Sequence, residues 1–325
     1  MKHTLLFSYS FLFLLIFVAC TKFDNDDLAN KDLSRTQVVM GTFCTITVNK
    51  HKIEEGFRYL KELESILSSY SRDALVFRLN EQKKININLL LKDIINESKK
   101  YYKLTNGYFD ITIGSITRKL YAFGEKEKIP NDTQIANASL GIDSVIVTDK
   151  SIVLAKDITI DLGGIGKGYA VDKLSEYYIE SDVSRGKIAL SGDIRCLDAC
   201  KVEVQSPFEE NETIAILKSK ITNLSISTSG TYRRYIKSKK KHHLINPKSK
   251  SQGRDFVSVT IVSRANNTLC DVMATAISVM PKDRALKFVK SQNEFGYLLV
   301  TPSAKLISGN LEKFVDYEKR VSDKN

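Results

Sequence analysis

The chain has 325 residues, of which 42% are apolar and 27% are charged, and its formal net charge is +11. This composition excludes an intrinsically disordered protein, and the length allows one large domain or two moderate ones. The basic excess is spread along the chain, so it does not indicate a nucleic-acid-binding protein. Its densest run, residues 237–243 (KSKKKHH), is most simply interpreted as a short solvated loop.

The N-terminus has the layout of an export signal. Lys2 and His3 precede an apolar stretch over residues 5–18, which ends at Ala19 and Cys20. A basic start, a short apolar core and a small residue before the cleavage point are typical of a signal peptide, and the stretch is too short to span a membrane comfortably. Cysteine at that point predicts a lipoprotein acylated at Cys20, and an ordinary signal anchor is the alternative. The predicted divisions are a signal peptide (1–19), a polar tether (20–36) and a folded domain (37–325).

Hydrophobic periodicity predicts both helices and strands along the folded part. Helices are expected over residues 52–68, 88–104, 114–123, 271–280 and 282–291, and directly after the glycine-rich segment 161–168. Strands are expected over 38–49, within 144–160, between 187 and 262, and over 296–300. Mixed helices with mostly antiparallel strands predict the α+β fold class.

Four cysteines follow Cys20, namely Cys44, Cys196, Cys200 and Cys270. Cys196 and Cys200 are close enough in sequence to form a disulfide, which an exported protein can keep. Their spacing does not fit a zinc site without further His or Cys ligands nearby. We interpret this pair as a candidate local bridge, and the other two as small buried residues.

The segment 161–168 (DLGGIGKG) is the strongest local signal for a binding site. Its glycines allow backbone N–H groups to approach a ligand closely, and the helix that follows offers an N-terminus that favours anions. Lys167 adds a positive charge suited to phosphate. The segment matches neither the Walker A pattern nor the usual Rossmann pattern, and a tight structural turn remains the alternative.

Asp271 and Thr275 lie four residues apart in a predicted helix, so their oxygens share one helical face. Such a pair can bind a hard cation such as Mg²⁺. An N-capping aspartate with a threonine bonded to its own helix explains the same pattern without a metal.

Three further segments carry polar or aromatic groups with two interpretations each. Thr228 and Ser229 lie in ISTSGTYRRY (226–235), which either binds a pyrophosphate or forms a plain turn. His243 is a candidate general base or an inert surface histidine. Tyr70 ends the first helix and either stacks on a flat ring or closes the helix end. Asp110 is a carboxylate just past the turn at residues 105–107.

Taken together, these segments resemble the ApbE family, the FAD:protein FMN transferases. The similar segments follow the family's order from about residue 38 to 300. They are 40–42 (MGT), 69–70 (SY), 78–80 (RLN), 107–112 (GYFDIT), 161–168, 192–194 (GDI), 227–230 (STSG) with Tyr232, 243–247 (HLINP), and Asp271 with Ala274 and Thr275. Each is weak alone, and their common order makes the resemblance specific.

The resemblance implies an α+β fold of mostly antiparallel sheets with flanking helices, in which FAD binds between a larger and a smaller part. It implies that the enzyme, with Mg²⁺, breaks the pyrophosphate of FAD, releases AMP and attaches FMN to a Thr or Ser of a target flavoprotein. Typical targets are subunits of membrane redox pumps of the sodium-pumping quinone reductase and Rnf types. It also implies an exported, often lipid-anchored protein, on the periplasmic face of the inner or outer membrane of a bacterial cell envelope.

Carried over position by position, the resemblance gives site residues three roles. Flavin contacts fall on Met40, Tyr70, Asp110, Asp161, Lys167 and Leu244. The metal site falls on Gly164, through its backbone carbonyl, and on Asp271 and Thr275. His243 matches the histidine expected to act as the base, and Lys167 with the glycine-loop amides is expected to bind phosphate oxygens.

The chain departs from the family pattern at several positions. It has Asn246 where aspartate is usual, Ala74 for a serine, Gly166 for an alanine, Ile111 for a proline, and Ser191 and Lys250 for glycines. None of these removes an expected metal ligand. Two other functions use the same cleft: a Mg²⁺-dependent FAD pyrophosphatase that yields FMN and AMP, and a lipoprotein that binds FAD without catalysis. The family's older link to thiamine synthesis offers no direct chemistry for an exported flavin site.

Overall fold

The computed structural model describes residues 32–320. The predicted signal peptide, the predicted lipid attachment at Cys20 and most of the predicted tether lie outside these residues. The helices are α1 (Lys50–Leu67), α2 (Leu75–Gln82), α3 (Leu89–Leu104), α4 (Gly114–Thr117), α5 (Asp132–Ala136), α6 (Gly166–Glu180), α7 (Asn267–Val279) and α8 (Lys282–Lys290).

The strands run from the first described residue nearly to the last. They are β1 (Asp32–Val39), β2 (Thr42–Asn49), β3 (Lys84–Asn86), β4 (Val145–Val147), β5 (Ser151–Leu154), β6 (Lys187–Leu190), β7 (Asp193–Cys196), β8 (Lys201–Gln205), β9 (Thr213–Ser219), β10 (Leu224–Gly230), β11 (Ile245–Asn246), β12 (Ser251–Gln252), β13 (Ser258–Ser263), β14 (Phe295–Val300), β15 (Leu306–Gly309) and β16 (Val315–Lys319).

Within the described residues, a large sheet organises the fold, with strand order β1-β2-β6-β7-β10-β13-β14-β15. Every neighbouring pair in it is antiparallel. Helices α1, α6 and α7 pack on one face of this sheet, where Ile46, Val259 and Ile261 join their apolar sides in the main core. The predicted α+β class with mostly antiparallel sheets is confirmed.

A second, three-stranded sheet (β16-β9-β8) covers the opposite face of the large sheet. Leu224, Ile226 and Val262 of the large sheet pack there against Val204 and Leu217. Because side chains alternate along a strand, β13 sends Ile261 to the helical face and Val262 to the second sheet. Both faces of the central strands are therefore buried, and all six residues of β13 are inaccessible to solvent.

A third apolar cluster lies beside the main core and brings distant segments together. Ile116 belongs to α4, and Tyr121 and Phe123 follow this helix. All three pack against Ile236 and Ile245 from the segment after β10. This cluster places the C-terminal side of the 107–112 segment next to the residues around His243.

Three differences from the predicted element boundaries have a clear physical reason. Strand β1 begins at Asp32, so residues 32–36 of the predicted tether form an edge strand, because they pair in register with β2 from Asn49 to Thr45. The helix predicted over 114–123 ends at Thr117, and Ala122 has a left-handed backbone (φ 52°) that no helix can contain. The helix predicted from residue 271 begins at Asn267, where Asn266 caps it.

The candidate bridge between Cys196 and Cys200 is present as a disulfide, and Cys44 and Cys270 are free and buried as predicted. None of the helices within residues 32–320 is long and apolar enough to cross a membrane.

Candidate active site

The start of α6 lies directly against the start of α7. A Cβ atom at Gly168 would lie 2.4 Å from the carbonyl oxygen of Asn267, so only glycine allows the two helices to approach this closely. At this contact the Gly168 N–H donates a hydrogen bond of 3.0 Å to Asp271 Oδ2. Asp172, one turn later in α6, accepts hydrogen bonds from the N–H groups of Asn267 and Thr268, both at 2.7 Å. The glycine segment therefore positions α7, and with it Asp271.

Lys167 lies between two buried carboxylates. Its Nζ is 3.3 Å from Asp193 Oδ2 and 3.6 Å from Asp271 Oδ2, and it donates a hydrogen bond of 3.1 Å to the carbonyl of Gly163. Burial alone would lower the pKa of Lys167, but the two carboxylates outweigh burial and raise it. The lysine is therefore a permanent cation, and the cluster of three groups has a formal charge of −1.

Asp193 is a member of this cluster that the sequence interpretation did not assign to the site. It is 1% exposed, and its Oδ1 accepts a hydrogen bond of 2.7 Å from Ser227 Oγ. The available signal was the segment 192–194 (GDI), where the resemblance already placed an aspartate. Only the pairing of β7 with β10, which puts Asp193 opposite Ser227, shows that its carboxylate faces Lys167.

The residues expected to bind the metal lie close together. A Cβ atom at Gly164 would lie 3.0 Å from Thr275 Oγ1, so the Gly164 backbone touches that side chain. Ser229 Oγ is 3.5 Å from the same hydroxyl, and Asp271 precedes Thr275 by one helical turn. The residues from 32 to 320 contain no cluster of three or more His, Cys, Asp or Glu side chains suited to a metal.

Asp271 is the charged member of that group, and it is 2% exposed. Burial and repulsion from Asp193 raise the pKa of its carboxyl, and Lys167 and the Gly168 N–H partly offset that rise. A divalent cation beside it would relieve the same destabilisation of the carboxylate. A hard-cation site with a single protein carboxylate and neutral oxygens suits Mg²⁺, which keeps several waters or substrate phosphate oxygens as ligands. The residues therefore fit the implied ion.

The glycine segment offers fewer free backbone amides than its composition predicted. The N–H of Gly163 bonds to Asp161 Oδ1, the N–H of Gly166 bonds to the carbonyl of Leu162, and the N–H of Gly168 bonds to Asp271. These three donors are used to hold the loop and α7 in place. Anion binding by this loop therefore depends more on the Lys167 ammonium group than on a row of amides.

Asp161 is held by groups from three parts of the chain. Its Oδ2 accepts a hydrogen bond of 2.7 Å from Thr117 Oγ1, and its N–H donates to the carbonyl of Ile111. Asn80 bonds to both the N–H and the carbonyl of Ile160, the preceding residue, at 2.8 and 2.9 Å. Thr117 and Asn80 were not assigned to the site from the sequence, and both act by positioning Asp161.

Tyr70 is 36% exposed, but its ring is not a free platform. The Arg118 guanidinium lies over the ring at 3.5 Å from its centroid, and the Arg234 guanidinium lies 5.2 Å from the centroid and bonds to the phenol oxygen. Burial and the nearby Asp161 carboxylate raise the pKa of the phenol. A flat ligand could therefore stack only on a ring face that Arg118 does not cover.

His243 lies at the end of a short hairpin that begins at Arg234. Its Nδ1 is 3.1 Å from the carbonyl oxygen of Arg234. A carbonyl only accepts hydrogen bonds, so neutral His243 carries its proton on Nδ1 and leaves the Nε2 lone pair available as a base. Burial, together with the positive charges of Arg234 and Lys167, lowers the pKa of His243 to about 4.

The remaining predicted contacts have different surroundings. Asp110 caps a turn by accepting hydrogen bonds from the N–H and hydroxyl of Thr112 at 2.8 and 2.7 Å. Leu244 is buried next to His243. Met40 is half-buried at the β1–β2 turn with a left-handed backbone (φ 53°).

Thr228 faces away from the Lys167 cluster. Alternation along β10 places it on the sheet face opposite Ser227 and Ser229. Its hydroxyl lies 2.9 Å from that of Thr260 on β13, whereas Ser229 reaches Thr275. The structure therefore brings together Lys167, Asp193, Asp271, Thr275, Gly164 and Ser229.

A comparison with known proteins identifies the family of the chain. The model of the ApbE family matches residues 40–299, which contain every site residue named above. The chain belongs to the ApbE family. The FAD:protein FMN transferase of Haemophilus influenzae is 26% identical over 280 residues, covering 79% of this chain and 80% of the relative. The FAD:protein FMN transferase of Buchnera aphidicola is 30% identical over 284 residues, covering 79% and 82%.

Solved structures of ApbE proteins share the fold. The ApbE protein of Thermotoga maritima superposes with a TM-score of 0.77 at 22% identity, covering 87% of this chain and 98% of that one. The flavin transferase ApbE of Vibrio cholerae superposes with a TM-score of 0.74 at 20% identity, covering 87% and 99%.

The structure shows what several departures from the ApbE pattern change in the local backbone and hydrogen bonding. Ser191 and Lys250, which stand where glycine is usual, have left-handed backbones (φ 58° and 55°) that glycine adopts more easily. Ala74 is the N-cap of α2 and provides no side-chain hydrogen bond, which the usual serine could supply. Asn246 donates a hydrogen bond of 2.9 Å from its amide to the carbonyl of Val279, which an ionised aspartate could not do.

Proposed function

We propose that this ApbE-family protein is an FAD:protein FMN transferase, which moves FMN from FAD to a Ser or Thr hydroxyl of an acceptor protein and releases AMP. The observation that carries the proposal is the Lys167–Asp193–Asp271 cluster, which joins a fixed cation to a buried carboxylate beside Thr275 and Gly164. The named relatives catalyse this type of transfer, and the chain covers about four fifths of their length.

Different site residues have different roles in the proposed reaction. Lys167 binds a phosphate oxygen of FAD, and its raised pKa keeps it charged throughout. Asp271, Thr275 and the Gly164 carbonyl would hold Mg²⁺, which would offset negative charge on the pyrophosphate. Tyr70, Asp161 and Leu244 would contact the flavin half of FAD. The Arg118 guanidinium lies over the Tyr70 ring and holds that ring in place.

His243 accepts the proton from the acceptor hydroxyl at Nε2. The hydroxyl oxygen forms a bond to the phosphorus of the FMN half, and the bond from that phosphorus to the bridging oxygen breaks. The bridging oxygen leaves with AMP, so the protein hydroxyl becomes a phosphodiester to the flavin. The alternative FAD pyrophosphatase would use the same residues with water in place of the protein hydroxyl.

The test of this function is an incubation of the full chain with FAD and Mg²⁺, with and without a candidate acceptor protein. AMP release is followed by chromatography, and covalent flavin is followed as fluorescence of the acceptor on a denaturing gel. AMP with a fluorescent acceptor supports the transferase. AMP with free FMN in the presence of the acceptor supports the pyrophosphatase, and bound but intact FAD supports a binding protein.

We also propose that the protein is exported and anchored by a lipid on Cys20 at the periplasmic face of a bacterial envelope membrane, where it modifies subunits of redox pumps of the quinone reductase or Rnf types. The signal-like residues 2–20 support export, and the disulfide between Cys196 and Cys200 is compatible with an oxidising compartment. Mass spectrometry of the mature N-terminus tests the acylation. Cys20→Ser is expected to move the protein from the membrane fraction to the soluble fraction.

A further inference from the structure

The segment between β10 and β11 forms a hairpin that the proposed chemistry uses only at its base. We call residues 233–243 the basic hairpin. Tyr235 and His242 form an antiparallel bridge, the Ile236 N–H donates to the carbonyl of Lys241 at 3.0 Å, and the His243 N–H donates to the carbonyl of Arg234 at 3.2 Å.

The base of the basic hairpin is fixed to the protein. Ile236 is buried in the cluster of Tyr121 and Phe123. His242 is buried, and its Nε2 lies 2.9 Å from the carbonyl oxygen of Gly253. The tip is therefore held at a defined place beside the site.

The tip of the basic hairpin carries four lysines that have no ion-pair partner among the described residues. Lys237, Lys239 and Lys240 are exposed and Lys241 is half-buried. Among the described residues, none of these four ammonium groups donates a hydrogen bond or forms an ion pair. Like charges this close repel one another, so they add nothing to folding, and they are suited to an anionic partner.

The tip and the site belong to the same structural unit. Arg234 contacts Tyr70, and His243 is the proposed base, so both ends of the hairpin enter the site. His243 and Lys239 are four residues apart around a turn, so at most about 13 Å of chain separates them. A partner bound at the tip would therefore hold its neighbouring chain close to the Nε2 atom of His243.

We propose that the basic hairpin binds an acidic segment of the acceptor protein and so brings the acceptor hydroxyl to the site. This proposal rests on the proposed transferase function. It assigns to the acceptor a cluster of Asp or Glu residues about four to six positions from the modified Ser or Thr, since each extended residue spans about 3.3 Å.

The topology favours a protein partner over an anionic membrane surface. In the large sheet, the strand direction reverses at each of the four antiparallel pairs from β1 through β2, β6 and β7 to β10. Strands β1 and β10 therefore run in the same direction. The hairpin follows the C-terminal end of β10, whereas Asp32 lies at the N-terminal end of β1 and thus at the opposite end of the sheet. The described part of the chain therefore begins at the end of the sheet away from the hairpin.

The test compares two fluorescein-labelled peptides on the full chain held in phosphatidylcholine nanodiscs. One peptide has a threonine with four aspartates beginning four residues away, and the other has asparagines in their place. The hairpin variant is Lys237→Gly/Lys239→Gln/Lys240→Gln/Lys241→Gln, where glycine suits the left-handed backbone of Lys237 (φ 61°). The matched control removes four exposed charges from α8, which supplies no site residue: Lys282→Gln/Arg284→Gln/Lys287→Gln/Lys290→Gln.

We expect the aspartate peptide to bind about tenfold more tightly than the asparagine peptide at low salt, since several exposed ion pairs add modest amounts each. The preference should disappear in the hairpin variant and persist in the α8 variant. Equal affinity for both peptides, or a preference that survives in the hairpin variant, would overturn the proposal.

A lysine-acetylation footprint separates a protein partner from a lipid surface. The aspartate peptide should protect the hairpin lysines in phosphatidylcholine nanodiscs. Protection by phosphatidylglycerol nanodiscs and none by the peptide would replace this proposal with a membrane contact. AMP release from FAD at saturating asparagine peptide should be the same in wild type and hairpin variant. A wild-type chain that releases no AMP with either threonine peptide refutes the proposed function, whereas AMP release without a peptide preference refutes only the docking.

Discussion

Asp271 connects three parts of the site. Its carboxylate faces Lys167 and accepts a hydrogen bond from the Gly168 N–H, and the residue precedes Thr275 by one helical turn. Asp271→Asn keeps the size and the acceptor for Gly168 but removes the charge that a divalent cation needs. We expect AMP release to fall by about 10²–10³ at saturating FAD, as for the loss of one major electrostatic contact. The measurement is the initial rate as a function of Mg²⁺ concentration. Wild-type rates at limiting Mg²⁺ would exclude Asp271 as a metal ligand.

Tyr70 is expected to affect FAD binding more than the chemical step, because its proposed role is to contact the flavin and not the reacting phosphorus. Tyr70→Ala removes the ring that both Arg118 and Arg234 contact, although both still donate to the Phe123 carbonyl. We expect the dissociation constant for FAD to rise about tenfold, equivalent to roughly 1.4 kcal/mol, with a smaller change in the rate at saturation. Tyr70→Phe is the control, because it retains the ring and loses only the bond to Arg234. An FAD affinity unchanged in Tyr70→Ala would argue against stacking.

His243 gives the folded protein a pH dependence with a definite sign. Its pKa in the folded state is about 4, below the value of about 6.5 expected for an unfolded chain. Between these values the unfolded state binds more protons, so stability is full above about pH 6.5 and falls as pH decreases towards 4. Chemical denaturation of His243→Gln should show a shallower decline across this window. His242, whose pKa is also lowered by burial, leaves a residual slope in that variant.

At the scale of elements, the crossing of α6 and α7 decides where the site forms. Gly168→Ala would place a methyl group within 2.4 Å of the Asn267 carbonyl, so the helices must separate. We expect a loss of about 1–3 kcal/mol in the free energy of unfolding and a fall in AMP release, because Asp271 moves with α7. Thermal and urea unfolding measure the first effect, and initial rates measure the second.

Gly166→Ala is the matched control for that substitution. A Cβ atom at Gly166 would meet only Leu162 Cβ at 3.6 Å, an ordinary contact, and alanine is the residue that the family usually has there. Alanine also favours a helix over glycine by up to about 1 kcal/mol. The control should be as stable as wild type or more stable. Equal losses in both variants would show that the close approach of α6 to α7 is not what Gly168 provides.

At the scale of the whole molecule, the large sheet separates the site from the second sheet. Cys196 and Cys200 lie at the join of β7 and β8, where the second sheet meets the large one. A disulfide that closes a loop of about five residues lowers the entropy of the unfolded chain, which stabilises the folded protein by roughly 2 kcal/mol. Cys196→Ala/Cys200→Ala should therefore unfold at lower urea concentration but cleave FAD at the wild-type rate. A lower rate in the folded variant would show that the second sheet affects the site.

The sequence predicted α1, α3, α6, α7, α8 and most strands of the large sheet through local periodicity, and the order of the family's segments through short motifs. It did not predict α2, β15 or β16. It pointed to Lys167, Asp271 and Thr275 because their types and spacing carry the chemistry. The folded chain was needed to show that Asp193 joins Lys167, that Thr228 faces away from Ser229, and that Arg118 covers one face of Tyr70. These facts depend on strand pairing, on the side of the sheet that a residue faces, and on contacts between segments far apart in sequence. A local sequence pattern carries no information about such relations between distant segments.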